Sequence, residues 1–269
     1  MAKTETLNKY TKDEDKLLVA KLLDKIGFAK TKNKIVNTDF LDMYQKKISL
    51  EILNIQKEKN YIYYGGVDNA DRQMLIIYPE KYDNIFFNNK FNYSEIISLI
   101  RIELPNELKG KYVHKDYLSG IMKLGIKREK CGDILVFDDG ADIIVSTDIA
   151  NYILNNLSQL TRFSKSKIEQ LDISKVRIPD IKKEEIRITV SSMRLDNIVS
   201  QLANVSRTNA EQIIKEQKVF VNYENEMKNS KIINEKDIIT IRGNGKFNVL
   251  KVNGVSKKGK IILTVEHYV

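Results

Sequence analysis

The side chains of this chain that could act on another molecule are mostly cations. Of its 269 residues, 45 are Lys or Arg and 36 are Asp or Glu, a net charge of +9. It has two histidines, His114 and His267, and one cysteine, Cys131. So few imidazoles argue against acid–base or metal chemistry built on histidine. One cysteine rules out an internal disulfide and a cysteine-cluster zinc site, and Cys131 reads as an ordinary, partly buried side chain. His114-Lys115-Asp116 has the His-x-Asp order of a kinase catalytic loop, but no glycine-rich nucleotide loop precedes it and no D-F-G follows. Gly243-Asn244-Gly245 lacks a third glycine and a following helix, so it is a turn and not a dinucleotide loop. No enzyme, metal site or cofactor is expected.

The charge is unevenly placed. From Arg187 onward there are 14 basic and 8 acidic residues, so +6 of the +9 lies there. A basic patch gathered in one module is the footprint of a phosphate-backbone partner; the plain alternative is a surface kept soluble by lysine and arginine. A second run, Lys127-Arg128-Glu129-Lys130, sits in a turn with Lys115 upstream. Such a turn either grips RNA phosphate or is a solvated charge run.

The elements that carry the first patch are well marked. Leu195, Ile198, Val199 and Leu202 recur at helical spacing between Arg194 and Ala203. Ser206 can cap a second helix with Ala210, Ile213 and Ile214 on its apolar face. Val219 and Val221 alternate with Phe220 as in a strand. Arg194-Leu195-Asp196, Ser206-Arg207, Val219-Phe220-Val221-Asn222 and Lys236-Asp237-Ile238-Ile239-Thr240-Ile241-Arg242 together resemble the S4 RNA-binding domain, from Met193 to about Phe247. Two family glycines are replaced, by Gln217 before the V-x-V-N strand and by Lys236 before Asp237. A helix end that often needs positive φ thereby loses its cheapest occupant. The resemblance implies that Arg194 and Arg207 face RNA. Lys218, Lys231, Arg242 and Lys246 are expected on the same face, touching phosphates.

Upstream, Thr11 and Glu14 read as a capping box for a helix with Leu17, Leu18, Ala20, Leu22 and Ile26 on its apolar side. A second helix is expected after Thr38, carrying Phe40, Leu41, Tyr44, Ile48, Ile52 and Ile55. Tyr61, Tyr63 and Tyr64 are either a stacking platform for bases or half-buried strand residues. Met74 to Tyr78 reads as a strand. The middle then runs strand 97–104, helix 113–124, strand 133–137, the turn Asp138-Asp139-Gly140, strand 141–145, a helix capped by Thr147 through Leu157, and a strand between Ile168 and Ile178. That is the β-α-β-β-α-β order of ferredoxin-like, RNA-recognition-like modules. The aromatic strand signature of RNA readers is missing, and Ile134, Val136, Ile143 and Val145 look like core. The expected fold class is α+β: a small α/β part at 1–90, a ferredoxin-like domain at 91–182 and an S4 domain at 183–269.

His114-Lys115-Asp116-Tyr117-Leu118-Ser119-Gly120 and Leu124-Gly125-Ile126-Lys127-Arg128-Glu129-Lys130-Cys131-Gly132-Asp133-Ile134, with Tyr64-Gly65-Gly66 and Asp71-Arg72, resemble the YlmH family of bacterial S4-domain proteins. Lys115 stands for the family's Arg and Asp71 for its Glu, which keeps charge but alters reach and geometry. This resemblance implies binding to 23S ribosomal RNA and tRNA on the large ribosomal subunit, in quality control of stalled nascent chains. It also links members to cell-division proteins. Lys115, Lys127, Arg128 and Lys130 would then be a second RNA contact. The other readings are an RNA-modifying enzyme, like a pseudouridine synthase, targeted by its S4 domain, and an adaptor for division proteins. The first six residues lack the apolar stretch of a signal peptide, and no apolar run approaches the roughly 20 residues that span a bilayer. A cytoplasmic protein is expected.

Overall fold

The computed structural model describes residues 3–68, 70–179 and 183–268. The chain divides into two units, Met1–Pro179 and Asp180–Val269. Among the described residues, no helix is long and apolar enough to cross a membrane.

The first unit opens with α1 (Lys3–Leu7), α2 (Asp13–Lys32), β1 (Val36–Leu41), α3 (Met43–Ile55), β2 (Tyr61–Tyr64), β3 (Gln73–Ile77) and α4 (Asp83–Phe87). The strands form an antiparallel sheet in the order β1-β3-β2. Val19, Leu22 and Ile26 of α2 meet Ile52 and Leu53 of α3 and Leu75 of β3 in one core. Two expectations fail here. The Thr11–Glu14 capping box does not form: α2 starts at Asp13 with Lys12 at its N-cap and no side-chain cap. The buried stripe of α2 runs through Asp15, Val19, Leu22, Ile26 and Ala29, which leaves Leu17 58% exposed. The second helix also starts later than expected, because Val36–Leu41 is a strand. Phe40 and Leu41 fit a helical spacing with Tyr44 and Ile48. However, Asp42 and Gln45 form a reciprocal capping box that sets the helix start at Met43.

The rest of the unit comprises β4 (Ile97–Glu103), α5 (His114–Lys123), β5 (Cys131–Phe137), β6 (Gly140–Ser146), α6 (Thr147–Asn156) and β7 (Lys167–Leu171). The sheet order is β5-β6-β4-β7, antiparallel throughout, which is the ferredoxin-like arrangement. Tyr117 and Ile121 of α5, Ile153 of α6 and Phe163 cover Ile100, Ile102, Ile143 and Val145. Ile134 and the partly buried Val136 join this core, as their sequence pattern suggested. Gly140 closes the β5–β6 turn because a Cβ there would lie 1.8 Å from the Ile102 carbonyl oxygen. Thr147 does not cap α6: Ser146 holds the N-cap position, and the Thr147 hydroxyl donates to the Ser94 carbonyl at 3.0 Å. The two sheets share a core of Phe40, Met74, Ile97, Leu99, Ile144 and Ile173. Arg101 and Arg177 both grip the fully buried carboxylate of Asp142, at 2.7 and 2.9 Å.

The second unit comprises β8 (Lys183–Val190), α7 (Leu195–Leu202), α8 (Arg207–Lys215), β9 (Val219–Val221), β10 (Glu224–Asn225), β11 (Ile238–Ile241), β12 (Gly245–Val255) and β13 (Ile261–Tyr268). Its sheet order is β10-β9-β11-β12-β13-β8. Leu195, Ile198, Val199, Ala210 and Ile214 from the helices pack on Val219, Ile239, Ile241, Phe247, Val249 and Val265. Both positions where glycine is replaced have left-handed backbones, with φ of 58° at Gln217 and 72° at Lys236.

Candidate nucleic-acid interface

The start of α7 is held from outside the helix. Leu195 N–H donates to the Lys231 carbonyl at 2.8 Å and Asp196 N–H to the Asn229 carbonyl at 3.1 Å, which satisfies donors that a first helical turn leaves open. Asp196, in that first turn, is fully buried. Arg194 Nε and Nη2 donate to its two oxygens at 3.1 and 2.8 Å. Arg207, the first residue of α8, donates to Oδ2 through Nε at 3.2 Å and Nη2 at 2.7 Å. Asn197 N–H adds a bond to Oδ1 at 2.9 Å. Burial alone would raise the Asp196 pKa, but the two guanidiniums outweigh it and hold the carboxyl below its ordinary value.

One buried carboxylate thus sets two arginines side by side while both stay in reach of solvent, with side chains 36% and 54% exposed. Each guanidinium spends two N–H groups on Asp196 and has three left for another acceptor. Arg207 Nε also lies 3.4 Å from Glu211. Pre-oriented planar donors of this kind suit the paired oxygens of a phosphate.

The other four predicted residues divide between two places. Lys231 is exposed and belongs to the segment that holds the start of α7, where Arg194 bridges Ile232. Lys218, Arg242 and Lys246 lie around β9, β11 and β12. Arg242 N–H donates to the Lys218 carbonyl at 2.9 Å, and the Lys218 ammonium pairs with Glu216 at 2.7 Å. Arg242 lies over the Phe220 ring at 4.9 Å, and Lys246 over Tyr223 at 5.2 Å and Tyr268 at 5.4 Å. These rings were missed in the sequence. Phe220 and Tyr268 occupy the alternate strand positions opposite the buried valines, and that alternation was the available signal.

In the first unit, Lys115 and Lys127 are exposed. Arg128 and Lys130 are tied down. A bulge between Cys131 and Ile134 interrupts the β5–β6 ladder, and Arg128 Nη1 takes the Cys131 and Gly132 carbonyls at 2.6 and 3.1 Å. Arg72 Nε shares the Cys131 carbonyl at 3.0 Å, and its Nη2 bonds the Phe40 carbonyl at 3.0 Å. Lys130 pairs with Asp39 at 2.9 Å and Asp148 at 2.7 Å. Asp116 accepts the Val113 N–H at 2.9 Å and so helps to close the start of α5. The tyrosines of β2 are packed strand residues. Tyr63 hydroxyl meets Ser49 hydroxyl at 2.6 Å and burial pushes its pKa up to about 12. Tyr64 stacks on Tyr93 with ring centres 3.7 Å apart.

Comparison with known proteins follows the same division. Residues 90–175 match the family model described as "Putative RNA-binding domain in YlmH", and residues 193–239 match the S4 domain. The chain is 30% identical over 232 residues to ribosome-associated protein quality control protein P2 of Bacillus subtilis, covering 85% of this chain and 86% of that protein. Among solved structures it is similar to the cell division protein ylmH from Streptococcus pneumoniae, with a TM-score of 0.48 and 19% identity over 63% of this chain and 98% of the other.

Proposed function

The chain belongs to the YlmH family of S4-domain proteins, and on that premise we propose that it is a non-enzymatic RNA-binding protein of the cytoplasm. It acts on the large ribosomal subunit, holding 23S ribosomal RNA and tRNA during quality control of stalled nascent chains. The observation that carries the reading is the arginine pair on Asp196. A buried carboxylate bonded to two partly exposed guanidiniums positions donors for an anion and performs no reaction of its own. Support for the partner comes from the relative in Bacillus subtilis, whose name places it in ribosome-associated quality control. Lys231 beside the pair and Lys218, Arg242 and Lys246 on the sheet add phosphate contacts. In the first unit Lys115 and Lys127 are available to RNA, Arg128 adds its charge from a fixed position, and Lys130 is neutralised by Asp39 and Asp148.

The test is pelleting of the full chain with large ribosomal subunits, with and without bound tRNA. Arg207→Ala should weaken binding by about 1–3 kcal/mol, as for a charged hydrogen bond that loses its partner. The Arg194→Ala, Arg207→Ala double variant should lose more. An affinity unchanged by the double replacement would refute the assignment. The same assay on the second unit alone, started no later than Lys183 so that β8 is whole, asks whether the first unit contributes. Two linked weak sites bind far more tightly than either alone, so the full chain should bind more tightly and prefer subunits that carry tRNA. Equal affinity and preference would leave Lys115 and Lys127 as solvated charges and Arg128 and Lys130 as internal ties of the first unit.

A further inference from the structure

Between Asp237 and Glu266 the chain has six cationic side chains, Arg242, Lys246, Lys251, Lys257, Lys258 and Lys260, and no carboxylate. Nearly all of this stretch lies beyond residues 193–239, where the S4 match ends. Its backbone is a hairpin that outgrows its own core. β11 accompanies β12 only as far as Asn248, while β12 runs on to Val255 against β13. Burial alternates along β12 up to Val249 and then stops, and residues 251–255 are all exposed. Two register shifts, at 249/251 and 252/254, bend the strand there.

The turn that closes the hairpin is well bonded. Ser256 N–H donates to the Lys260 carbonyl at 2.7 Å and Gly259 N–H to the Ser256 carbonyl at 2.9 Å. Lys260 N–H reaches the Ser256 hydroxyl at 3.1 Å. Lys257, Lys258 and Lys260 project from this turn into solvent. None of the three, nor Lys251, has an ion-pair partner among the described residues. One nearby carboxylate, Glu235, accepts the Val252 N–H at 2.7 Å. An isolated lysine on an edge strand guards against sheet-to-sheet pairing, and that accounts for Lys251. It does not account for three lysines at a turn, where their mutual repulsion has no internal counter-charge.

We propose that the Lys257–Lys260 end of the β12–β13 hairpin is a further RNA contact, which grips the phosphate backbone of a duplex without reading its sequence. The inference rests on the RNA-binding reading of this unit and adds to it residues outside the Arg194–Arg207 pair. Lysine is a compact point charge that neutralises phosphate but offers no planar fork for bases. A-form RNA is recognised mainly through its backbone and shape, and phosphate contacts position a protein without specifying sequence.

The experiment uses the full chain and an RNA stem-loop, titrated from 50 to 200 mM salt. Each neutralised phosphate contributes about 0.9 to the slope of log affinity against log salt. The Lys257→Gln, Lys258→Gln, Lys260→Gln variant should therefore lose up to about 2.7 of slope. Across that fourfold salt range, the wild-type affinity should fall about 40-fold further than that of the variant. Lysine-to-glutamate changes at the same positions should weaken binding more. Wild-type slope and affinity in both variants would overturn the hairpin contact and leave the arginine pair intact. Loss of binding only in the Arg194→Ala, Arg207→Ala variant would overturn it equally. If neither set of changes mattered, the RNA reading itself would fall. Co-flotation with phosphatidylserine vesicles is the other arm: lysine-dependent capture there, with RNA binding unchanged, would assign the hairpin to a lipid surface and overturn the proposal.

Discussion

Replacing Gln217 with glycine should stabilise the second unit. Lys218 N–H donates to the Ile213 carbonyl at 3.2 Å and Gln217 N–H to the Ile214 carbonyl at 2.9 Å, the paired bonds of a Schellman helix end. Gln217 supplies its left-handed residue, with φ of 58°. Among the described residues, every bond it makes is through backbone: its carbonyl also accepts from Asn225 Nδ2 at 2.8 Å. Its side chain is exposed, so glycine would keep all of these bonds. The left-handed conformation costs a non-glycine residue about 1–2 kcal/mol, and glycine loosens the unfolded chain by roughly 0.5–1 kcal/mol. The net gain is about 0.5–1 kcal/mol, or roughly 2–8 °C in Tm for a domain of this size. Asparagine should fall between glycine and glutamine, and valine should cost about 1 kcal/mol or more, since a β-branched residue with positive φ is strained. Far-UV circular dichroism melts of the full chain measure the series, and amide exchange at Lys218 to Val221 assigns the change to this unit. A glycine variant no more stable than wild type, or a valine variant as stable as glycine, would refute the argument.

Two further outcomes concern buried carboxylates. Arg177→Ala removes one of the two guanidiniums on Asp142, leaving Arg101 and the backbone N–H of residue 177, and should destabilise the first unit by about 2–3 kcal/mol, measured by denaturant unfolding; a change under a few tenths of a kcal/mol would mean that the network adds little. Asp196 has its folded-state pKa lowered, so its stabilisation is present above the unfolded value and is lost as pH falls through the lower, folded one. Asp196→Asn should flatten the acid limb of a Tm-against-pH curve, and an unchanged limb would place that dependence elsewhere.

The S4 region was readable because its signals are local. Ser206 caps α8 by accepting the Asn209 N–H at 3.2 Å, and the helical stripes and the Val219–Val221 alternation lie within short windows. The ferredoxin-like order was legible for the same reason. Val36–Leu41 was not, because its apolar spacing continues smoothly into α3 and only the Asp42–Gln45 box marks the break. Side-chain commitments across long sequence distances were also hidden. Nothing near Lys130 announces Asp39, far upstream, as its partner at 2.9 Å. The fate of Arg128 depends on a bulge that appears only when β5 meets β6. For Arg194 and Arg207, the motif supplied the residues, while the shared burial of Asp196 between them came from the fold.

The pairing of β8 with β13 has a topological consequence. These are the first and last strands of the second unit, and Lys183 lies directly opposite Tyr268. A segment whose two ends emerge side by side can be spliced into a surface loop of a host protein with little distortion of either. It can also be rejoined end to end and opened elsewhere, and exposed tips with small or polar residues are where such cuts are best tolerated. The Ser256–Lys260 turn offers one such site. A circular permutant opened there would keep all eight β8–β13 pairs while freeing the basic turn from its closing bonds. The S4-bearing unit is in this sense a portable cassette.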